Sequence, residues 1–436
     1  MLSFLSRGEA YCDGVSRRQF LTIGGLAIGG LTLPNLLRAE ELAGMKATGK
    51  SIINIYLGGG PTHMDTFDLK PNAPKEYRGE FKPISTNAPG VEICELMPEL
   101  AQVADRYSII RSIRNMANEH SPRQSDSGWS ENSLRSLGGR PSIGSVMSKL
   151  WGPAQHTSYG SAPTFVDLNN WTRPGYLGQM HAAFRPDGTG RANLELNRST
   201  TVERLDDRRT LLNGLDRIRR NVDSSGMMTA IDSFTDRAVG LVTSGELAKA
   251  LDYKKEDEKT LDRYGLGSKM RRRSTESFIV ARRLVEAGVR CVSFSWGGWD
   301  THGQNFQSMR DQLPPLSKAL SALILDLEER GRLDDTIIMM SGEFGRTPRV
   351  NMGAGRDHWP QAAFFFIAGG GMRHGQAIGS TNARGEVPLD RPLSLQNVFH
   401  TVYHKLGIDA NTISLTDPNG RPQYLVDDRD LVRELV

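Results

Sequence analysis

Short apolar runs that stop at glycine-rich loops set the pattern of this chain. The run Ser51-Ile52-Ile53-Asn54-Ile55-Tyr56-Leu57 ends at Gly58-Gly59-Gly60-Pro61, which predicts a buried strand followed by a loop. Residues 107–113, 163–168, 290–296, 336–340 and 362–368 predict further strands. Residues 96–105, part of 125–150 and 308–330 read as helices. Strands alternating with helices build a mostly parallel sheet with helices on both faces. The expected fold class is therefore α/β, with a doubly wound sheet. The stretch 200–288 breaks this alternation. It is rich in Arg, Leu, Asp and Glu, and Leu211, Leu212, Leu215 and Ile218, then Phe278, Ala281 and Val285, recur at helical spacing. A helical insertion is expected there, with the charge runs at 254–259 and 271–273 on solvated faces.

In such a sheet, ligands bind beyond the carboxyl ends of the strands. The chain places its histidines and carboxylates just there. His63, Asp65 and Asp68 follow the first strand, and His120 follows the second. Asp300 and His302 follow the strand at 290–296, and Glu343 follows the one at 336–340, with Arg346 just after it. The box Gly355-Arg356-Asp357-His358-Trp359-Pro360 comes next. Carboxylate oxygen with imidazole nitrogen suits Zn²⁺, Mn²⁺ or a related divalent ion, whereas oxygen alone suits Ca²⁺ or Mg²⁺. Taken singly, these residues have plainer uses. Asp65 and Asp300 suit turn or helix caps. Glu343 and Arg346 suit a salt bridge, and Trp299 and Trp359 suit packing. The triple glycine makes either a tight turn or a row of backbone N–H groups aimed at an anion.

Composition narrows the picture. The 436 residues carry 54 basic and 50 acidic side chains, interleaved along the chain. That balance excludes a nucleic-acid partner, and three cysteines (Cys12, Cys94, Cys291) are too few for a disulfide scaffold. Ser16-Arg17-Arg18-Gln19-Phe20-Leu21 opens a mild apolar run that ends at Arg38-Ala39. This layout is a twin-arginine export signal. Residues 1–39 are read as that signal, the twin-arginine translocase as a partner during export, and the periplasm or cell surface as the destination. Residues 40–436 are read as one domain.

Together these boxes resemble a known family. The twin-arginine start, Gly-Gly-Pro-Thr-His-Met-Asp-Thr-Phe-Asp after the first strand, Trp299-Asp300-Thr301-His302, Gly342-Glu343-Phe344-Gly345-Arg346-Thr347-Pro348 and Asp357-His358-Trp359-Pro360 are similar to the exported bacterial domain-of-unknown-function family fifteen-oh-one. That family resembles the sulfatase-like branch of the alkaline phosphatase superfamily. The resemblance implies a two-metal site for sulfate or phosphate ester hydrolysis, with Asp65, Asp300, His302, Glu343 and His358 as metal ligands.

Two departures stand out. Where the superfamily has an Asp-His pair, this chain reads Glu343-Phe344, and phenylalanine cannot ligate. Where it places a nucleophile, this chain reads His120-Ser121-Pro122-Arg123. His120 then serves as a nucleophile or as a further metal ligand, Ser121 is an alternative nucleophile, and Arg123 and Arg346 hold anionic oxygens. The expected function is an exported metallohydrolase of sulfated or phosphorylated small molecules or polysaccharides. The alternative is a non-catalytic binding protein on the same fold, for example for sulfated polysaccharide.

Overall fold

The computed structural model describes residues 48–152, 154–157, 160–169, 171–186, 245–266 and 274–436. The twin-arginine segment, the first half of the expected helical insertion (including Leu211, Leu212, Leu215 and Ile218) and Arg271-Arg272-Arg273 lie outside the described residues.

Seven strands form the central sheet: β1 (Ser51–Tyr56), β2 (Tyr107–Ile113), β3 (Phe165–Asp167), β4 (Cys291–Ser295), β5 (Thr336–Ser341), β6 (Ala363–Gly369) and β7 (Gln376–Ile378). Their order is β7-β2-β6-β5-β1-β4-β3. β1 lies between β4 and β5, parallel to both, with Ile53 opposite Val292 and Ile338. Only β6 runs against its neighbours β5 and β2. The sheet is thus mostly parallel, as expected. β1, β2, β4 and β5 all end at one edge, and β6 starts from that same edge.

Alternation along each strand feeds two cores, because successive side chains point to opposite faces. Ile53, Ile55, Ile338, Met340, Phe364 and Phe366 face one side. There they meet helices α3 (Glu276–Glu286) and α4 (Asn305–Glu329), which contribute Phe278, Ala281, Leu316 and Leu320. Ile52, Ile337, Met339, Phe365 and Ile367 face the other side. That side is covered by α2 (Ile143–Trp151) and α5 (Leu395–Leu406). Every central strand is therefore sealed on both faces, which is why the runs read as continuously apolar. Cys94 and Cys291 are free and buried, as a core reading of Cys291 requires.

Three local expectations change. The helix expected at 96–105 is a short turn, Pro98–Ala101, followed by a 3₁₀ turn, Ala104–Arg106. The long helix starts earlier, at Asn305, and runs through Pro314 and Pro315 because Leu313, Leu316, Leu320 and Leu323 are all buried along it. Phe278, Ala281 and Val285 belong to α3, which lies on the sheet and leads into β4, so that end of the expected insertion is a sheet-covering helix.

Candidate metal centre

The loop after β2 is brought back over the sheet edge by one short helix, α1 (Arg123–Ser127). Gln124 on it accepts from Ala117 N at 2.7 Å and donates to Ala117 O at 2.9 Å and Glu343 O at 3.1 Å. That double clamp ties the His120 loop to the end of β5. From the other direction, Gly345–Arg346 and His358–Trp359 form a two-stranded ribbon with Arg346 opposite His358. The ribbon delivers His358 just before β6 begins.

Four side chains converge at this edge. His120, Asp300 and His358 each offer one ligand atom within 4.8 Å of the others. Nε2 of His358 lies 3.2 Å from Asp300 Oδ1, and Nε2 of His120 lies 3.6 Å from Asp300 Oδ2. Nε2 of His302 sits 3.0 Å from Asp300 Oδ1 and 3.1 Å from His358 Nε2. Asp300 is half-exposed, so the group opens to solvent.

Outside this group, each histidine meets an acceptor at Nδ1. His120 Nδ1 is 2.9 Å from Glu343 Oε1, His302 Nδ1 is 2.7 Å from Asp357 Oδ1, and His358 Nδ1 is 3.1 Å from Asn118 Oδ1. A carboxylate has no hydrogen to give. With an ion at Nε2, the proton of His120 and His302 belongs on Nδ1, where Glu343 and Asp357 stand to accept it; without one, Asp300 is an acceptor for Nε2–H as well. Without an ion these contacts are Nε2–H hydrogen bonds to Asp300; with one, the same nitrogen and oxygen atoms stand close enough together to share it. The donor set thus fits a divalent ion on its own chemistry.

Electrostatics agree. Burial works against the Asp300 charge, but it is outweighed by hydrogen bonds from Arg346 and His358 and by the charges of Arg346 and His302, which hold the carboxyl down at about 2. Burial moves His358 below its usual value, against a hydrogen bond to Asp300, and the charges of Arg346, His120 and His302 push the same way as burial. Both residues are therefore in their metal-binding protonation states at neutral pH.

The remaining candidate residues have other partners. Asp65 is not brought to the group. It is buried in a two-point ion pair with Arg356 (2.7 Å and 3.0 Å) and also accepts from Thr62 Oγ1 and Asn305 Nδ2. Ser121 donates to Glu131 Oε2. Arg123 donates to Glu131 and to the carbonyls of Arg140 and Gly138, so it holds its own loop. Arg346 is fully buried and donates to the carbonyls of Gly59, Gly60 and Arg356 and to Asp300. Its carboxylate partner is Asp300, not Glu343, and it braces that residue from behind. Glu343 lies behind His120, buried, and accepts from Gly59 N at 2.9 Å and 3.1 Å. The anion met by the glycine run is thus the protein's own carboxylate. Trp299 is buried and bonds the carbonyl of Trp296, a packing role.

Sequence reasoning left Asn118 and Gln124 unassigned. Neither carries a signal beyond its proximity to His120. Asp357 was visible as the neighbour of His358 but acts on His302 instead.

Gly59 shows how tightly the loops fit. Its φ is +104°, and a Cβ there would stand 2.4 Å from Asp300 N. Gly59→Ala is expected to cost about 1–2 kcal/mol for the left-handed backbone alone, and to displace Asp300. Urea unfolding and zinc titration check this together. Zinc uptake equal to wild type would show that the glycine loop does not position Asp300.

Residues 49–436 match the family described as "Protein of unknown function (DUF1501)", and the chain belongs to that family. No curated protein matches it in sequence. Among solved structures, the chain is similar to the PsFucS1 sulfatase from Pseudoalteromonas sp., at 12% identity and a TM-score of 0.38, over 94% of this chain and 77% of that one. It is also similar to Ps i-CgsB in complex with k-i-k-neocarrahexaose, at 10% identity and a TM-score of 0.29, over 82% of this chain and 72% of that one.

Proposed function

We propose that this protein is an exported, metal-dependent hydrolase of sulfate or phosphate esters, working with one divalent transition-metal ion. The observation that carries the reading is the convergence of His120, His302 and His358 Nε2 on the Asp300 carboxylate. The imidazole nitrogens of His120 and His358 with the Asp300 oxygen, and His302 beside them, favour Zn²⁺ or Mn²⁺ over Ca²⁺ and Mg²⁺, which prefer oxygen ligands. Such an ion, when bound, supplies Lewis acidity toward an ester oxygen. The chain's own part is to keep Asp300 ionised through Arg346 and to leave one face of the group open to solvent. Ser121 and Arg123 are engaged with Glu131, so the reading assigns attack to water rather than to either residue. The substrates proposed are sulfated or phosphorylated sugars, and the export route is the twin-arginine signal at 1–39.

Phe344 supports a second reading. Its ring packs 4.5 Å from the His358 ring, where the related enzymes have a nitrogen ligand. A binding protein for sulfated polysaccharide would need no second ion.

Elemental mass spectrometry of the natively exported protein tests the first step. One equivalent of a transition metal is expected, lost in Asp300→Ala/His358→Ala. A screen of aryl sulfates, phosphomonoesters and phosphodiesters then separates the two readings. Turnover that disappears in the double variant establishes the enzyme, while metal without turnover favours the binding protein. If the wild type holds no metal and takes none up on titration, the metal-dependent reading is lost.

A further inference from the structure

The three histidines share one arrangement although they come from three different loops. Nε2 faces Asp300, and Nδ1 faces an acceptor supplied by another part of the chain: Glu343 behind His120, Asp357 behind His302, Asn118 behind His358. Glu343 is the informative member. Its side chain is fully buried, and its Oε1 is shared by Gly59 N and His120 Nδ1, each at 2.9 Å. It therefore stands on the far side of the His120 ring from Asp300. The Phe344 ring fills space beside both His120 and His358, at 5.2 Å and 4.5 Å between ring centres.

We propose that Glu343, Asp357 and Asn118 are positioning residues that orient all three rings with Nε2 toward Asp300 and accept the Nδ1 proton once an ion takes Nε2, and that Glu343 is not itself a metal ligand. The assignment rests on the metal-binding reading and sharpens it: the group is preset for one ion before the ion arrives. A backing acceptor orients the ring and raises its basicity as a ligand. Each backing residue comes from a different segment than the ring it holds; Asp357 and His358 are neighbours in sequence yet serve different rings. The sheet edge, not local sequence, thus sets the three ring orientations.

Two readouts test this. The first is the ligating nitrogen of each ring in the zinc-loaded protein, read by ¹⁵N-histidine NMR. Rings held by zinc at Nε2 and hydrogen at Nδ1 are expected in the wild type. Asp357→Ala should turn His302 to a mixture, and Glu343→Ala should do the same for His120. The second is zinc affinity, measured with Zn²⁺ alone against a chromophoric chelator. Losses of about 10- to 100-fold are expected for Asp357→Ala and Glu343→Ala. Glu343→Gln should restore most of the loss, because an amide oxygen still accepts from Gly59 N–H and His120 Nδ1–H.

A Glu343 ligand would behave differently, with Gln as damaging as Ala. A second equivalent of zinc that disappears in Glu343→Gln would overturn the proposal outright. Rings that keep the Nδ1–H form in Asp357→Ala would overturn it as well. Because Asp357 is half-exposed, its variant tests the idea even if Glu343→Ala does not fold. If the wild type takes up no zinc, the metal reading fails and the positioning roles fall with it, whereas zinc held by Glu343→Ala and Asp357→Ala as tightly as by the wild type would overturn the positioning roles alone.

Discussion

Asp65→Asn is expected to destabilise the protein by about 3–5 kcal/mol while leaving its metal content unchanged. Removing one partner of a buried ion pair strands the other charge in a low-dielectric interior, and that is the size of the usual penalty. Both side chains are essentially inaccessible here, with 1% exposure for Asp65 and none for Arg356. The amide would also turn N–H donors toward a guanidinium that has no acceptor atom. Thr62 and Asn305 would lose part of their acceptor too. Arg356 keeps its bonds to the carbonyls of Thr347 and Tyr77, which limits the damage without removing the stranded charge. Urea unfolding gives the loss, and elemental analysis of the folded fraction gives the metal. A variant that unfolds normally but arrives without metal would return Asp65 to the ligand set. Combining Asp65→Asn with Arg356→Met should recover part of the stability, since removing the charge pair whole costs less than breaking it.

Arg346→Met is expected to cost about 3 kcal/mol or more and to weaken metal binding as well. The guanidinium is fully buried and serves three backbone carbonyls besides Asp300. Each buried acceptor left without a donor costs about 1–3 kcal/mol. The contribution through Asp300 is smaller, because that carboxylate is half-exposed and solvent screens it. It does carry a pH signature. Burial opposes the Asp300 charge, Arg346 and His358 overcome it, and the carboxyl stands at about 2, below its ordinary value of about 3.9. A carboxyl depressed by folding adds stability that is complete above its unfolded value and is lost as pH falls through its folded one. The gap between wild type and variant should therefore narrow between about pH 4 and pH 2, leaving only the pH-independent part from the carbonyls. A gap that stays constant across that window would show that Arg346 does not hold the Asp300 charge.

Glu343 and Asp65 show where reading from sequence stops. Both follow apolar runs, both are carboxylates, and both were expected as ligands. Sequence position could not separate them from Asp300. In the fold, Asp65 turns into the core toward Arg356, 291 residues away along the chain. Glu343 turns toward His120, 223 residues away. Asp300 alone keeps its carboxylate facing the opening. Ser121 and Arg123 carry the same lesson. Register on Pro122 marks a place in the chain, but the rotamers are set by Glu131, which lies in the next loop.

The sequence by itself determined the sheet and the edge that matters. Apolar runs long enough to be sealed on both faces can only be central strands, and each ends at a glycine or a polar box, so the chemistry had to gather beyond those ends. It also put the four residues of the candidate centre among its candidates, without separating them from Asp65 and Glu343. What the tertiary structure decided is which way each side chain turns and what stands behind it. Tautomers, buried ion pairs and the space occupied by Phe344 depend on atoms brought together across hundreds of residues. Such contacts leave no periodic trace in a single chain. Hydrophobic burial is non-directional and shows in a pattern, whereas hydrogen bonds and ligand geometry are directional and form only once the strands are in place.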